Sequence, residues 1–301
     1  MTSITSHYGI YGSVPFLDAR VGADNQAFVD PRAIRESVAT DPFAASAVHS
    51  IDTFFGTVAS CAMSSNSADR KYGRDLLTKF AEPWETRLGM SKEGYRGKGG
   101  AEDVGRWIWE SMTTDLQALL NLGIFARLEQ LPLFVEGVDR DITSDITTRI
   151  VFEPLVQFTA SMLTAYPQFT AGRHVLEVVN RQVWNPSMRV WEVRKVVLPS
   201  VDGAPLLLVP HRWARPRLLM SAGRYHGTTL LGYVQDERAV EVSGELIRTP
   251  KRELRQLPEL RYVRPTNRSV TTRAAEESVD LLAMFDLFVA ERLAEEQRKS
   301  A

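Results

Sequence analysis

The stretch Val190-Trp191-Glu192-Val193-Arg194-Lys195-Val196-Val197-Leu198, continued by Pro199, the turn Ser200-Val201-Asp202-Gly203 and the apolar run Pro205-Leu206-Leu207-Leu208-Val209, is where this chain changes character. Its β-branched residues and turn signal predict a strand followed by a hairpin. Upstream, the pattern is helical. From Pro42 to Met63 the residues Phe43, Ala47, Val48, Ile51, Phe54, Phe55 and Val58 recur at three and four, the spacing of one helix face, with Asp41 placed to cap it. A second helix is expected over Asp69 to Phe80. A third runs over 101 to 122 through Val104, Trp107, Ile108, Met112, Leu116, Leu119 and Leu120, and stops at Gly123. Leu131 to Val135 reads as a short buried strand, with Ser144 as the cap of a helix from Asp145 to Tyr166.

Downstream of the quoted stretch, the sequence predicts a helix near Tyr225 to Asp236, strands around Val240 to Arg248, a helical turn from Thr249 to Leu257 and an amphipathic helix from Thr272 to Arg298. The fold class expected is α+β: a helix-rich N-terminal half, then a small, mainly antiparallel sheet with flanking helices. The parts are 1–172 and 173–301, as two units or as one continuous domain.

Composition narrows the function. With 301 residues, 44% hydrophobic and 24% charged, the chain has the make-up of a globular protein. No apolar run approaches the ~20 residues of a membrane-spanning helix, and the start MTSITSHYGIYG lacks the pattern of a secretory leader, so a cytoplasmic protein without membrane contact is expected. The single cysteine, Cys61, forms no internal disulfide and no cysteine-based zinc cage. Charge is unevenly spread: residues 1–172 hold 15 basic and 21 acidic side chains, and residues 173–273 hold 18 basic and nine acidic. Arg212, Arg215, Arg217, Arg224, Arg261, Arg264 and Arg268 in the basic part suit phosphate neutralisation, although Arg outnumbers Lys 29 to 7 throughout. Trp184, Trp191, Trp213 and Tyr225 interleave with arginines in this basic part, where they serve either base stacking or a core.

Three segments carry candidate chemistry. Asp139, Asp141 and Asp145 cluster at a predicted helix start, a pattern that offers oxygen ligands to Mg²⁺ and that a helix dipole also stabilises without metal. Glu82 and Glu85 precede a glycine-rich loop with Lys92, Arg96 and Lys98, which suits phosphate contact but lacks the order of a nucleotide-binding P-loop. Glu192, Arg194 and Lys195 lie on the predicted strand, where Glu192 and Arg194 share a face and Lys195 does not. Among the histidines, His211 and His226 flank the arginines, and no paired metal-binding spacing occurs.

The blocks Ala27-Phe28-Val29-Asp30-Pro31, Glu82-Pro83-Trp84-Glu85, Leu88-Gly89-Met90-Ser91, Gly97-Lys98-Gly99, Asp141-Ile142-Thr143-Ser144-Asp145 and Leu206-Leu207-Leu208-Val209-Pro210, taken in order, resemble a family of uncharacterised bacterial proteins associated with mobile elements and antiviral defence. The resemblance implies that the acidic blocks matter and assigns no reaction. Where that family carries Lys after the Leu-Val-Pro block, this chain has His211. Asp145 with Glu192 and Lys195 also resembles the D…E-x-K pattern of the PD-(D/E)xK nucleases, in which two acids bind Mg²⁺ and a lysine polarises water; here Arg stands at 194, in the lysine's place. The function these readings suggest is a divalent-metal-dependent phosphodiesterase or nuclease acting on foreign nucleic acid in bacterial defence. Asp141 and Asp145 would hold Mg²⁺ or Mn²⁺, Glu82 or Glu85 would complete the shell or act as base, and Lys98 would contact phosphate. Arg96, Arg212, Arg215 and Arg217 would bind substrate. The alternative is a non-catalytic component that binds nucleic acid, or a protein partner or a second copy through its C-terminal helix.

Overall fold

The structure, a computed structural model, describes residues 2–22, 25–89 and 101–300. Its helical half comprises α1 (Ile4–Tyr8), α2 (Pro31–Glu36), α3 (Ala44–Met63), α4 (Ser67–Thr78), α5 (Ala101–Thr113), α6 (Gln117–Asn121), α7 (Leu131–Phe134), α8 (Arg140–Ile150) and α9 (Phe152–Ala165), with the short strand β1 (Phe28–Val29) between α1 and α2. The strands β2 (Leu176–Asn185), β3 (Val190–Val201), β4 (Ala204–Pro205) and β5 (Ala214–Arg215) follow. Beyond them are α10 (Ala222–Tyr225), a π-helical turn (His226–Leu230), α11 (Leu231–Glu237), β6 (Val240–Val242), β7 (Glu245–Ile247), α12 (Lys251–Leu254), α13 (Arg264–Glu276) and α14 (Leu281–Ser300). The class is α+β, with the helices first and small antiparallel sheets after them.

α3 is central because its apolar residues occupy more than one face. Ile51, Phe54, Phe55, Val58 and Ala62 are all buried, and α2, α4, α5, α6 and α8 pack around them. The expected cap acts slightly ahead of the helix, where Asp41 Oδ1 accepts from Phe43 N at 2.9 Å. α4 and α5 can approach because glycines sit at the contact. A Cβ on Gly105 would lie 2.1 Å from the carbonyl oxygen of Leu77, and one on Gly73 would lie 2.7 Å from Trp109 Cζ3 of α5 and 2.4 Å from Cys61 Cβ of α3.

β2 and β3 form a long antiparallel ladder, from Leu176 opposite Pro199 to Asn185 opposite Val190. β4 joins through a turn of two residues, Asp202 and Gly203 at φ 54° and 74°, so Ser200 and Val201 of the expected turn still belong to β3, and the strand expected over 205–209 is only Ala204–Pro205. Trp184 and Trp191 face each other across the ladder with ring centroids 5.5 Å apart and pack on Phe54. With Trp213 and Tyr225 also buried, the aromatics between the arginines are core residues. One cluster of buried side chains runs from Val29 to Leu293 and draws on both 1–172 and 173–301. A second cluster seats α1 against α9 and β4 through Ile4, Tyr8, Phe16, Phe158, Phe169 and Leu206.

Several expected boundaries move. Leu131 to Val135 is buried as expected but begins with a helical turn, with Pro132 in the first turn where its missing N–H costs nothing. The helix expected from Asp145 to Tyr166 is two, because Pro154 has no N–H to continue the ladder and α9 restarts after Val151. The C-terminal helix is also two, parted at Ser278 (φ 64°), and Asp280 Oδ1 accepts from Leu282 N and Ala283 N to cap the second. In α14, Leu282, Phe285, Val289 and Leu293 are buried on this chain's own core, while Met284 and Leu287 stay exposed. Among the described residues no helix is long and apolar enough to cross a membrane.

Candidate functional site

α8 begins at Asp139, whose side chain accepts from Asp141 N at 3.2 Å. Ser144, expected to cap, instead lies within the helix, and its Oγ accepts from Val29 N at 2.9 Å to fix β1. The earlier start adds one turn, so Asp141, Asp145 and Arg149 fall at intervals of four along one face.

Arg149 is buried, and each of its three guanidinium nitrogens donates to a backbone carbonyl. Nε donates to the carbonyl of Ala81 at 2.6 Å, Nη2 to that of Glu82 at 2.9 Å and Nη1 to that of Gln182 at 3.0 Å. Gln182 adds two bonds, accepting from Ala81 N at 2.7 Å and donating to the carbonyl of Lys79 at 2.8 Å. α8, β2 and the segment from 79 to 82 are therefore tied at one point. Glu85 is 0% exposed. Its Oε1 pairs with Arg181, and its Oε2 lies 3.7 Å from Arg149 Nη2 without a hydrogen bond. Trp84 covers this group, with Arg181 and Arg87 lying over its ring. Burial pulls Arg149 down to about 10; neighbouring Arg181 adds to this, and Glu85 and Asp145 oppose it.

The acidic residues named from the sequence do converge. The Asp145 carboxyl is pushed well above the usual carboxylate range, first by burial and then by the charges of Asp141, Glu82 and Asp139, with Arg149 opposing. Gly89 borders the same place. It has φ 127°, and a Cβ there would lie 3.0 Å from Asp141 Oδ1, so glycine lets the chain pass close to that carboxylate. Asn25 holds this segment, donating from Nδ2 to the carbonyl of Arg87 at 2.9 Å and accepting Gly89 N at its own carbonyl at 3.0 Å.

The two glutamates have different surroundings: Glu82 is exposed and faces Asp145, whereas Glu85 is enclosed by Arg181 and Arg149 and anchors the segment. Arg96 and Lys98 lie outside the described residues. Arg215 stands opposite Phe28 in the β1–β5 pair and reaches Glu296 at 3.2 Å. Arg140, in the first turn of α8, lies over Phe28 and donates to the carbonyl of Pro216, which puts the Arg215 to Arg217 segment beside the carboxylate-bearing helix. Arg217 is exposed there, and Arg212 leans away to Thr40 at 3.1 Å. Arg264 and Arg268 are spent internally on the carbonyls of Pro132, Val138 and Phe134. The pattern resembling PD-(D/E)xK nucleases is spread differently. Asp145 rides on a helix, Glu192 is held by Asn185 and Arg194, and Lys195 is exposed. Sequence reasoning missed Arg149 and Arg181; the signal for Arg149 was its spacing of four from Asp145.

Residues 11–221 match the model of a family described as a domain of unknown function, DUF8370. The chain belongs to the DUF8370 family. The matched span contains every carboxylate of the site, the buried Arg149 and the partly exposed Arg181, and Arg212, Arg215 and Arg217. No curated protein and no solved structure matches the chain. Among the described residues no group of three or more His, Cys, Asp or Glu side chains is arranged to hold a metal ion.

Proposed function

We propose that this DUF8370 chain is a divalent-cation-dependent phosphodiesterase that acts on nucleic acid, with the cation at Asp141 and Asp145. The observation that carries the reading is geometric: Asp141 and Asp145 lie one turn apart on α8, and the segment that carries Glu82 runs on to Gly89, which passes within 3.0 Å of Asp141 Oδ1; burial first, then Asp141 and Glu82, push the Asp145 carboxyl up. Repulsion among such carboxylates is relieved by a proton or by a cation. Mg²⁺ commonly takes one or two carboxylates and fills its other positions with water and substrate phosphate, so two aspartates suffice. Bound there, the cation would polarise a phosphoryl oxygen and acidify a water. Glu82, exposed at the rim, would take the proton, and Arg217 with its neighbours would meet the phosphate. The bacterial defence setting rests on the family resemblance in the sequence.

The test is hydrolysis of single- and double-stranded oligonucleotides and of bis(4-nitrophenyl) phosphate, with Mn²⁺, Mg²⁺ or chelator. Metal-dependent cleavage is expected, falling by roughly a hundredfold or more in Asp141→Asn and Asp145→Asn, the scale for losing a catalytic group. Cleavage in chelator, or unchanged in both variants, would refute the mechanism. The exposed Arg217 beside the carboxylate-bearing helix also suits a second reading, a non-catalytic nucleic-acid-binding component, which predicts binding without turnover.

A further inference from the structure

Beyond the matched family span, residues 222–262 place cations without acidic partners along one helical ridge. Four of the six acids in this span are taken, Asp236 by Arg248 at 2.5 Å, Glu237 by Arg273 at 2.8 Å, Glu259 by Arg238 at 3.3 Å and Glu253 by Arg252 at 3.8 Å, while Glu241 and Glu245 are exposed on β6 and β7. Among the described residues, Arg224, Lys251, Arg255 and Arg261 make no ion pair within 4.0 Å.

Three side chains lie in a row on the ridge formed by α10, the π-helical turn and α11. Tyr262 covers Gly223, with ring atoms 3.7 Å from where a Cβ would be, and packs edge-on against buried His226. Arg255 covers Gly227, where a Cβ would meet Nη2 at 2.8 Å, and Lys251 Nζ lies 3.4 Å from the corresponding point on Gly232. Lys251 also donates to the carbonyl of Thr228 at 2.6 Å, which fixes its ammonium. The missing Cβ atoms allow these groups to lie against the helix while Tyr262 stays 53% exposed and Arg255 exposed. Lys251 and Arg255 are one helical turn apart and close enough that Arg255, after burial, lowers the Lys251 pKa, with Asp236 opposing. Two adjacent cations with an exposed aromatic ring form the combination that holds a phosphate backbone and stacks a base.

We propose that Lys251, Arg255 and Tyr262 form a binding surface for single-stranded nucleic acid, the cations on phosphates and the tyrosine against a base. The inference is separate from the carboxylate site, because binding is measured in chelator, without turnover. Fluorescence anisotropy of labelled mixed-sequence DNA and RNA strands, over a range of salt concentrations, tests it on the full chain. Arg255→Ala is expected to weaken binding and to flatten the slope of log K against log salt by about 0.7, one phosphate contact on a single strand. Tyr262→Ala is expected to weaken binding about tenfold with the slope retained, as for a lost stacking platform. Lys71→Ala on α4, which removes an equal charge from another element, is expected to bind like the parent chain. Both tested side chains are exposed, and unchanged thermal unfolding would show that the variants fold. Three results would overturn the proposal: no binding at low salt, parent-like binding by both Arg255→Ala and Tyr262→Ala, or stronger binding to anionic vesicles or polyglutamate than to the strands.

Discussion

Asp30 shows how a residue read locally can act across the molecule. Asp30 caps α2, accepting from Arg32 N and Ala33 N, and its second oxygen accepts Leu219 N at 2.7 Å. The proline at the first helical position was the legible sign of a helix start; the partner 189 residues away was not. Burial raises the Asp30 carboxyl from 3.8 to about 6, against the opposing amide bonds and Arg215. An acid raised on folding favours the folded state below its unfolded pKa, and that contribution is lost as pH rises through the folded value. The shift corresponds to about 3 kcal/mol. Relative to Asp30→Asn, the parent chain is expected to lose up to about that much stability between pH 4 and pH 7, measured by urea unfolding. A difference independent of pH would show that Asp30 ionises in the fold at no cost. At the candidate site, Asp141, Asp145 and Glu82 were legible as acids near a helix start and a glycine-rich loop. Arg149 and Arg181 were not, since what an arginine pairs with depends on which carbonyls and carboxylates the fold brings to it.

Among the elements, the helices were read more accurately than the strands. α3 follows its apolar spacing, whereas the helix expected over 101–122 stops at Gly123 (φ 69°) as expected but is two, α5 and α6. β2 has no alternating pattern to announce it, since its side chains are mostly half-exposed and its partner strand defines it. The breaks at Val151 and Ser278 also depend on local backbone chemistry that a periodicity count passes over. Close helix packing provides a stability test. Gly105→Ala would force a Cβ against the Leu77 backbone and is expected to cost at least the ~1–3 kcal/mol of ordinary overpacking. Gly56→Ala on the exposed side of α3 has nothing within 4 Å and is expected to gain about 0.5–1 kcal/mol from helix propensity. Thermal and urea unfolding of the two variants should move in opposite directions. A Gly105→Ala protein as stable as its parent would mean that α4 and α5 do not cross as described.

For the whole molecule, the family match ends at residue 221 but the core does not. Tyr225, Leu230, Val234, Phe285 and Val289 complete the cluster begun by α3, and Asn267 donates to the carbonyl of Leu133 at 2.9 Å. A chain cut after residue 221 is therefore expected to lose cooperative unfolding and to expose apolar surface to a hydrophobic dye. A cut chain that unfolds like the parent would make residues 222–301 a separate unit. The central claim is the cation site at Asp141 and Asp145, and calorimetric titration with Mn²⁺ at pH 6 and pH 8 tests it most directly. The account predicts tighter binding at the higher pH, because the cation must displace Asp145's proton, and loss of binding in Asp141→Asn and Asp145→Asn. No binding by the parent chain at pH 8, or binding unchanged in both variants, would contradict it.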